Sequence, residues 1–190
     1  SYLLQNIALL VFGADTKSFT SVVPIPNISI GDITVTGVTL VAVAACIIIM
    51  AVLMLFIKKT KAGQAMLAVS EDKDAAQLMG VNVNGTISLT FAIGSGLAAI
   101  AGVLLCSAYP TLTPYTGSMP GIKAFTAAVF GGIGSIPGAF IGGILLGIIE
   151  ILSKAYISSQ LADAIVFAVL IIVLLVKPTG ILGKPIHEKV

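Results

Sequence analysis

Residues 122–152 read "IKAFTAAVFGGIGSIPGAFIGGILLGIIEIL". Lys123 and Glu150 are the only charges in the stretch, and "GGIGSIPG" at 131–138 interrupts it. A membrane-crossing helix takes about 20 apolar residues. The stretch is therefore too long for one plain span and short for two, so it is either one bent span or a pair of thin ones. The topology of the whole chain depends on which.

Composition puts the chain in a bilayer. It is 57% hydrophobic and 9% charged, with a mean hydropathy of +1.12, whereas soluble domains carry about 25% charged residues. Glycine, at 20 of 190 residues, suits closely packed membrane helices. The net charge of +2 and the lack of arginine leave no footprint for nucleic acid. Cys46 and Cys106 fall in apolar runs and read as small packing residues. His187 stands alone in a polar tail, so neither a metal nor a cofactor is expected.

Moving outward, residues 37–57 form an uncharged run that stops at "KKTK", residues 86–108 form another, and residues 162–176 end at Lys177-Pro178. Lys58, Lys59 and Lys61 place their loop in the cytoplasm by the positive-inside rule. Lys177, Lys184 and Lys189 place the tail there too. An even number of crossings must separate these two clusters, and only splitting 122–152 provides it. The split is expected near Gly134–Pro137, with Pro137 opening the next helix at its first position. Segment 122–136 is then thin, about 22 Å by helical rise.

Irregular backbone within a membrane is tolerated where it is buried in protein or lines a cavity. Phe125, Gly131, Gly132, Gly134, Ser135 and Pro137 are therefore candidates for a translocation path. The glycines before Pro137 read equally as a hinge or as free backbone groups that could bind a translocated solute. Gly138, Gly142, Gly143 and Gly147, at helical spacing, read as helix-packing positions. Glu150 reads as an interfacial carboxylate with Lys154 one turn away, and Lys123 and Asp163 as markers of the outer interface.

The N-terminal run "SYLLQNIALLVF" is too short to span and reads as the end of a span. Residues 13–36, with Pro24 and Pro26, are expected outside as an ordered loop or short strands. "NIS" at Asn27 and "NGT" at Asn84 are taken as chance matches to the glycosylation pattern.

One polar stretch remains, "SEDKDAAQLMGVN" at 70–82, within a cytoplasmic loop spanning 62–85. Ser70 is expected to cap a helix whose first turn holds Glu71, Asp72 and Asp74, where acidic groups complement the helix dipole. Ala75, Ala76, Gln77, Leu78 and Met79 continue it, and Gly80 ends it. Such a helix is too short to persist in water. Its apolar side, Ala75, Leu78 and Met79, lies either on the chain's own spans or in another protein.

"DAAQLMG" resembles the coupling loop of ABC importer permeases. "AVSEDKDAAQLMGVN", "LAAIAGVL", "KAFTAAVFGGIGSIPGAFIGGILLGI" and "KPTGILGKP" resemble the branched-chain amino-acid permease family, its high-affinity membrane subunit in particular. The resemblance runs almost continuously over 37–190 and more weakly over 1–36, and it matches the C-terminal portion of the longer family members. It implies an all-α, polytopic transmembrane helical bundle in the bacterial inner membrane. Glu71, Asp72, Asp74, Ala75, Ala76, Leu78 and Gly80 would form the element that couples to ATP-binding subunits. It further implies a second permease subunit, an extracytoplasmic binding protein, and leucine, isoleucine and valine as substrates.

No Walker A sequence occurs, so ATP hydrolysis is expected on partner chains rather than here. The alternative is a self-sufficient channel or secondary carrier for small polar solutes such as urea or amides. A carrier would normally show ionisable residues in mid-span, and this chain shows almost none. No nucleophile–base pair points to an intramembrane enzyme.

Overall fold

The computed structural model describes residues 2–20, 28–30 and 33–183. The expectations for Pro24, Pro26, Asn27, Lys184, His187 and Lys189 lie outside them. Contacts divide the chain into two units, Ser1–Tyr115 and Thr116–Val190. The fold is all-α with two small antiparallel ladders.

The first unit opens with α1 (Tyr2–Phe12) and β1 (Lys17–Ser18). β1 pairs with β4 (Thr111–Leu112), Lys17 opposite Leu112. β2 (Ile28–Ile30) and β3 (Ile33–Val35) form the second ladder, Ile28 opposite Val35. The region expected as a loop or short strands thus contains strands.

The long helix α2 (Gly37–Lys59) meets α3 (Lys61–Glu71) at Thr60. Thr60 ends the first helix and caps the second, its Oγ1 accepting from the Gly63 amide at 3.0 Å. Gly63 is buried, and a Cβ there would lie 2.5 Å from the Phe56 carbonyl oxygen. Only glycine lets the chain fold back so closely. α4 (Lys73–Leu78) follows, and then α5 (Val83–Ala108), capped by Asn82, whose Oδ1 accepts from the Gly85 amide. The span expected at 86–108 therefore begins earlier, because the Asn82 cap adds a turn.

In the second unit the decisive stretch is a helical hairpin, α6 (Ser118–Gly131) and α7 (Ile136–Tyr156), followed by α8 (Ala162–Val176). The break falls at 132–135. Gly132 (φ 109°) and Gly134 (φ 86°) take backbone conformations that side chains disfavour. Ser135 caps α7, its Oγ accepting from the Gly138 amide at 3.1 Å. Pro137 is consequently the second residue of α7 and not the first. The missing N–H costs nothing there, because early helical amides have no intrahelical partner.

Gly131 packs on Gly138 and Gly142 on Ala127, which sets α6 and α7 antiparallel. α8 returns alongside α6. Its start brings Asp163 to Lys123, and the segment after it hydrogen-bonds the end of α6, with the Ile181 amide on the Phe130 carbonyl at 3.0 Å. Phe130, Leu146 and Val166 form the buried centre of the unit.

Among the described residues, α2, α5 and α7 are long and apolar enough to cross a membrane, with mean hydropathies of 3.2, 2.1 and 2.0. α6 and α8, with 14 and 15 residues, are shorter. The turn at 132–135 lies at the end of the unit that also holds the 177–183 segment.

Candidate functional site

The charged stretch at 70–82 holds the end of one helix and the whole of another. α3 continues through Ser70 to Glu71, so Ser70 is not a cap. Its Oγ donates back to the Leu67 carbonyl at 2.7 Å. Asp72 takes the capping role. Its extended backbone (φ −156°, ψ 111°) breaks the helix, and its Oδ1 accepts from the Asp74 and Ala75 amides, each at 3.0 Å. An aspartate cap combines amide pairing with favourable charge at the positive end of the helix. Asp74 alone remains acidic in the first turn, and Glu71 closes α3.

α4 spans six residues, shorter than the expected helix. It closes through paired reverse bonds, the Val81 amide to the Ala76 carbonyl and the Gly80 amide to the Gln77 carbonyl, both 3.0 Å. Gly80 sits at φ 84°, which this closure requires and which glycine supplies without strain. Ala76 is the anchoring residue, 5% exposed. Leu78 and Met79 are 89% and 85% exposed, and Ala75 is exposed with them. One face of α4 is thus seated on its own unit, and the other presents two large apolar side chains.

The residues singled out for a path divide in two. Gly131 and Gly132 are buried. A Cβ on Gly131 would meet the Gly138 and Ala139 backbone, and one on Gly132 the backbone of Leu182 and Gly183. Their role in this unit is close packing. Phe125 is 69% exposed, Gly134 is exposed, and Ser135 and Pro137 are half-buried. Gly138 and Gly142 pack the hairpin as their spacing implied. Gly143 approaches only the Ala127 methyl, at 3.8 Å, and Gly147 has nothing within 4 Å, so neither packs the hairpin closely.

Glu150 is not an isolated interfacial group paired with Lys154 alone. Lys154 Nζ lies 2.6 Å from its Oε1, and Lys123 Nζ lies 2.8 Å from the same oxygen. Lys123 also reaches Asp163 Oδ1 at 2.8 Å. The (i, i+4) pair was legible in the sequence. The links across α6, α7 and α8 depend on the tertiary fold and carry no local signal.

The chain matches the family described as "Branched-chain amino acid transport system / permease component" over residues 1–174. It is 56% identical over 141 residues to the high-affinity branched-chain amino acid transport system permease protein LivH of Escherichia coli (strain K12), covering 74% of this chain and 46% of that protein. It is 43% identical over 195 residues to the corresponding BraD of Pseudomonas aeruginosa, covering 100% of this chain and 63% of BraD. A probable branched-chain amino acid transport permease protein of Methanocaldococcus jannaschii is 34% identical over 154 residues, covering 77% of this chain and 49% of that protein. The chain thus spans about half to two-thirds of the length of these relatives. No solved structure matches it. With its three apolar helices of spanning length and a family match across nearly all of its residues, the chain belongs to the branched-chain amino-acid transport permease family.

Proposed function

We propose that this chain is a permease subunit of an ATP-driven importer that carries leucine, isoleucine and valine across the bacterial inner membrane. Its relatives are named for branched-chain amino-acid transport. The observation that carries the ATP-driven part is α4. The helix is capped at both ends and anchored by Ala76, yet it leaves Leu78 and Met79 in the open. Covering two such side chains is worth about 1.5–3 kcal/mol each.

In this reading Asp72, Asp74, Ala75, Ala76, Leu78 and Gly80 build or present the surface that docks on an ATP-binding subunit, and Glu71 joins it to α3. ATP is hydrolysed on that partner. A second permease subunit and an extracytoplasmic binding protein complete the transporter. Phe125, Gly134, Ser135 and Pro137 are the residues proposed for the path. Gly131 and Gly132 support it by holding α6 against its neighbours.

The test is uptake of labelled leucine into proteoliposomes containing the permease pair, the ATP-binding subunits and the binding protein. Uptake should require ATP together with the ATP-binding subunits. Leucine uptake at the full rate by the permease chains alone would favour a channel or carrier and sink the proposal.

A further inference from the structure

The lysines of the chain are held unequally. Among the described residues every ion pair runs to Glu150 or Asp163, and Lys177 Nζ donates to the Ile181 carbonyl. Lys58, Lys59 and Lys61 are exposed, and their side chains enter no ion pair or hydrogen bond. Glu71, Asp72 and Asp74 do not pair with them. The three lysines surround the corner between α2 and α3, which Thr60 and the close approach of Gly63 to Phe56 hold in one shape. α2 has 23 residues, about 34 Å by helical rise, against a hydrocarbon core of about 30 Å. When α2 crosses, its last turn therefore stands among the lipid headgroups. Leading to Lys59, the residues Ile48, Val52 and Leu55 follow at spacings of four, three and four, so all four share one line along the helix. The three apolar ones are 61%, 59% and 56% exposed. Helix contacts in membranes favour small residues, and α5 shows that pattern with exposed Gly94, Ala98 and Gly102. The line on α2 holds no small residue, so it suits acyl chains better than another helix.

We propose that this edge of α2 binds an anionic phospholipid, with its acyl chains along Ile48, Val52 and Leu55 and its phosphate among Lys58, Lys59 and Lys61. The apolar line and the unpaired cations are continuous, and the occupant must answer both. A second apolar helix leaves three ammonium groups uncompensated. A soluble anion leaves the aliphatic line bare. A zwitterionic phospholipid brings its own ammonium group, which offsets the attraction of its phosphate. A phospholipid with net negative charge covers the line and compensates the lysines together. Lysine stems lie along apolar surface while their heads reach the phosphate level. Each lysine near an anionic surface favours it about fivefold. The fixed corner keeps the three cations together, so little ordering is needed when the headgroup arrives. The site stands apart from the transport reading above and does not depend on it.

The chain contains no tryptophan, so Leu55→Trp places a single emitter on the line. Phe91→Trp, at an exposed position of α5, is the control. The full chain carrying either change is reconstituted in mixed vesicles of phosphatidylglycerol and phosphatidylcholine, with brominated acyl chains on one lipid or the other. At Leu55→Trp, brominated phosphatidylglycerol should quench with an apparent affinity about fivefold or more above that of brominated phosphatidylcholine. Phe91→Trp should show no such preference. The preference should vanish when Lys58→Gln, Lys59→Gln and Lys61→Gln are combined, and persist when all three are replaced by arginine. It should also shrink in about 1 M salt, where screening acts within about 3 Å. The salt titration keeps the native lysines, so it reads the charge even where the glutamine variant does not fold. Equal quenching by the two lipids at Leu55→Trp would leave only ordinary boundary lipid and overturn the proposal. Quenching by neither would mean that protein covers the line, with the same consequence. A preference that survives loss of the lysines, or that salt leaves unchanged, would also overturn it.

Discussion

Gly142→Ala puts a methyl group where α7 meets α6. The added Cβ would lie 2.5 Å from the Ala127 carbonyl oxygen, 2.9 Å from the Gly131 nitrogen and 3.0 Å from the Gly131 Cα. All three are backbone atoms, so no side-chain rotation relieves the clash, and the hairpin must open. Opening it loosens the packing of Phe130, Leu146 and Val166 beneath. Overpacking of this kind costs about 1–3 kcal/mol, against a gain of up to ~1 kcal/mol from replacing a helical glycine by alanine. Gly147→Ala on the same helix is the control, since nothing lies within 4 Å of its added methyl. It keeps the helix gain without the clash. A change of 1 kcal/mol moves Tm by about 2–4 °C in a chain of this size. Thermal unfolding in detergent, followed by circular dichroism, should therefore place Gly142→Ala several degrees below the parent and Gly147→Ala at or above it. Equal Tm values for the two variants would refute the packing argument.

Two other expectations follow from the geometry. Ile133 is 77% exposed in the turn between α6 and α7. In a background lacking Cys46 and Cys106, Ile133→Cys should react with an impermeant thiol reagent only from the cytoplasmic side and Tyr115→Cys only from outside; an unreactive residue 133 would favour a single bent span. Asp72→Ala removes both cap bonds to α4 and should cost about 0.5–2 kcal/mol of local stability. Faster amide exchange at Asp74 and Ala75, with α2 unchanged, is the expected signature, and unchanged exchange there would argue against Asp72 as the cap.

The parts of the fold that were legible in the sequence are those set by local pattern. Hydropathy located α2, α5 and α8 within a few residues, because an apolar run in lipid has few alternatives to a helix. The two lysine clusters, by parity, required the hairpin in 122–152. Its break falls one or two residues earlier than the proline alone implies, because the Ser135 side chain already caps the helix and Pro137 is its second residue.

The cap falls at Asp72 and not at Ser70 for a related reason. Serine and aspartate cap about equally well, so local chemistry could not choose between Ser70 and Asp72. The choice came from "KAGQAMLAVSE", whose helix runs on past Ser70. Gly63 gave no local hint of the corner between α2 and α3, because the reason for it is a neighbour's backbone. The same holds for Lys123 and Asp163, which are brought together only when α8 returns alongside α6.

The proposed function turns on the exposed face of α4 meeting an ATP-binding subunit. The most direct measurement is photo-crosslinking from position 78 in the intact membrane-bound transporter, with a benzophenone amino acid replacing Leu78, which is 89% exposed. A covalent adduct between this chain and the ATP-binding subunit is the expected result. Adducts confined to lipid or to this chain itself, in a transporter that still imports leucine with ATP, would contradict it.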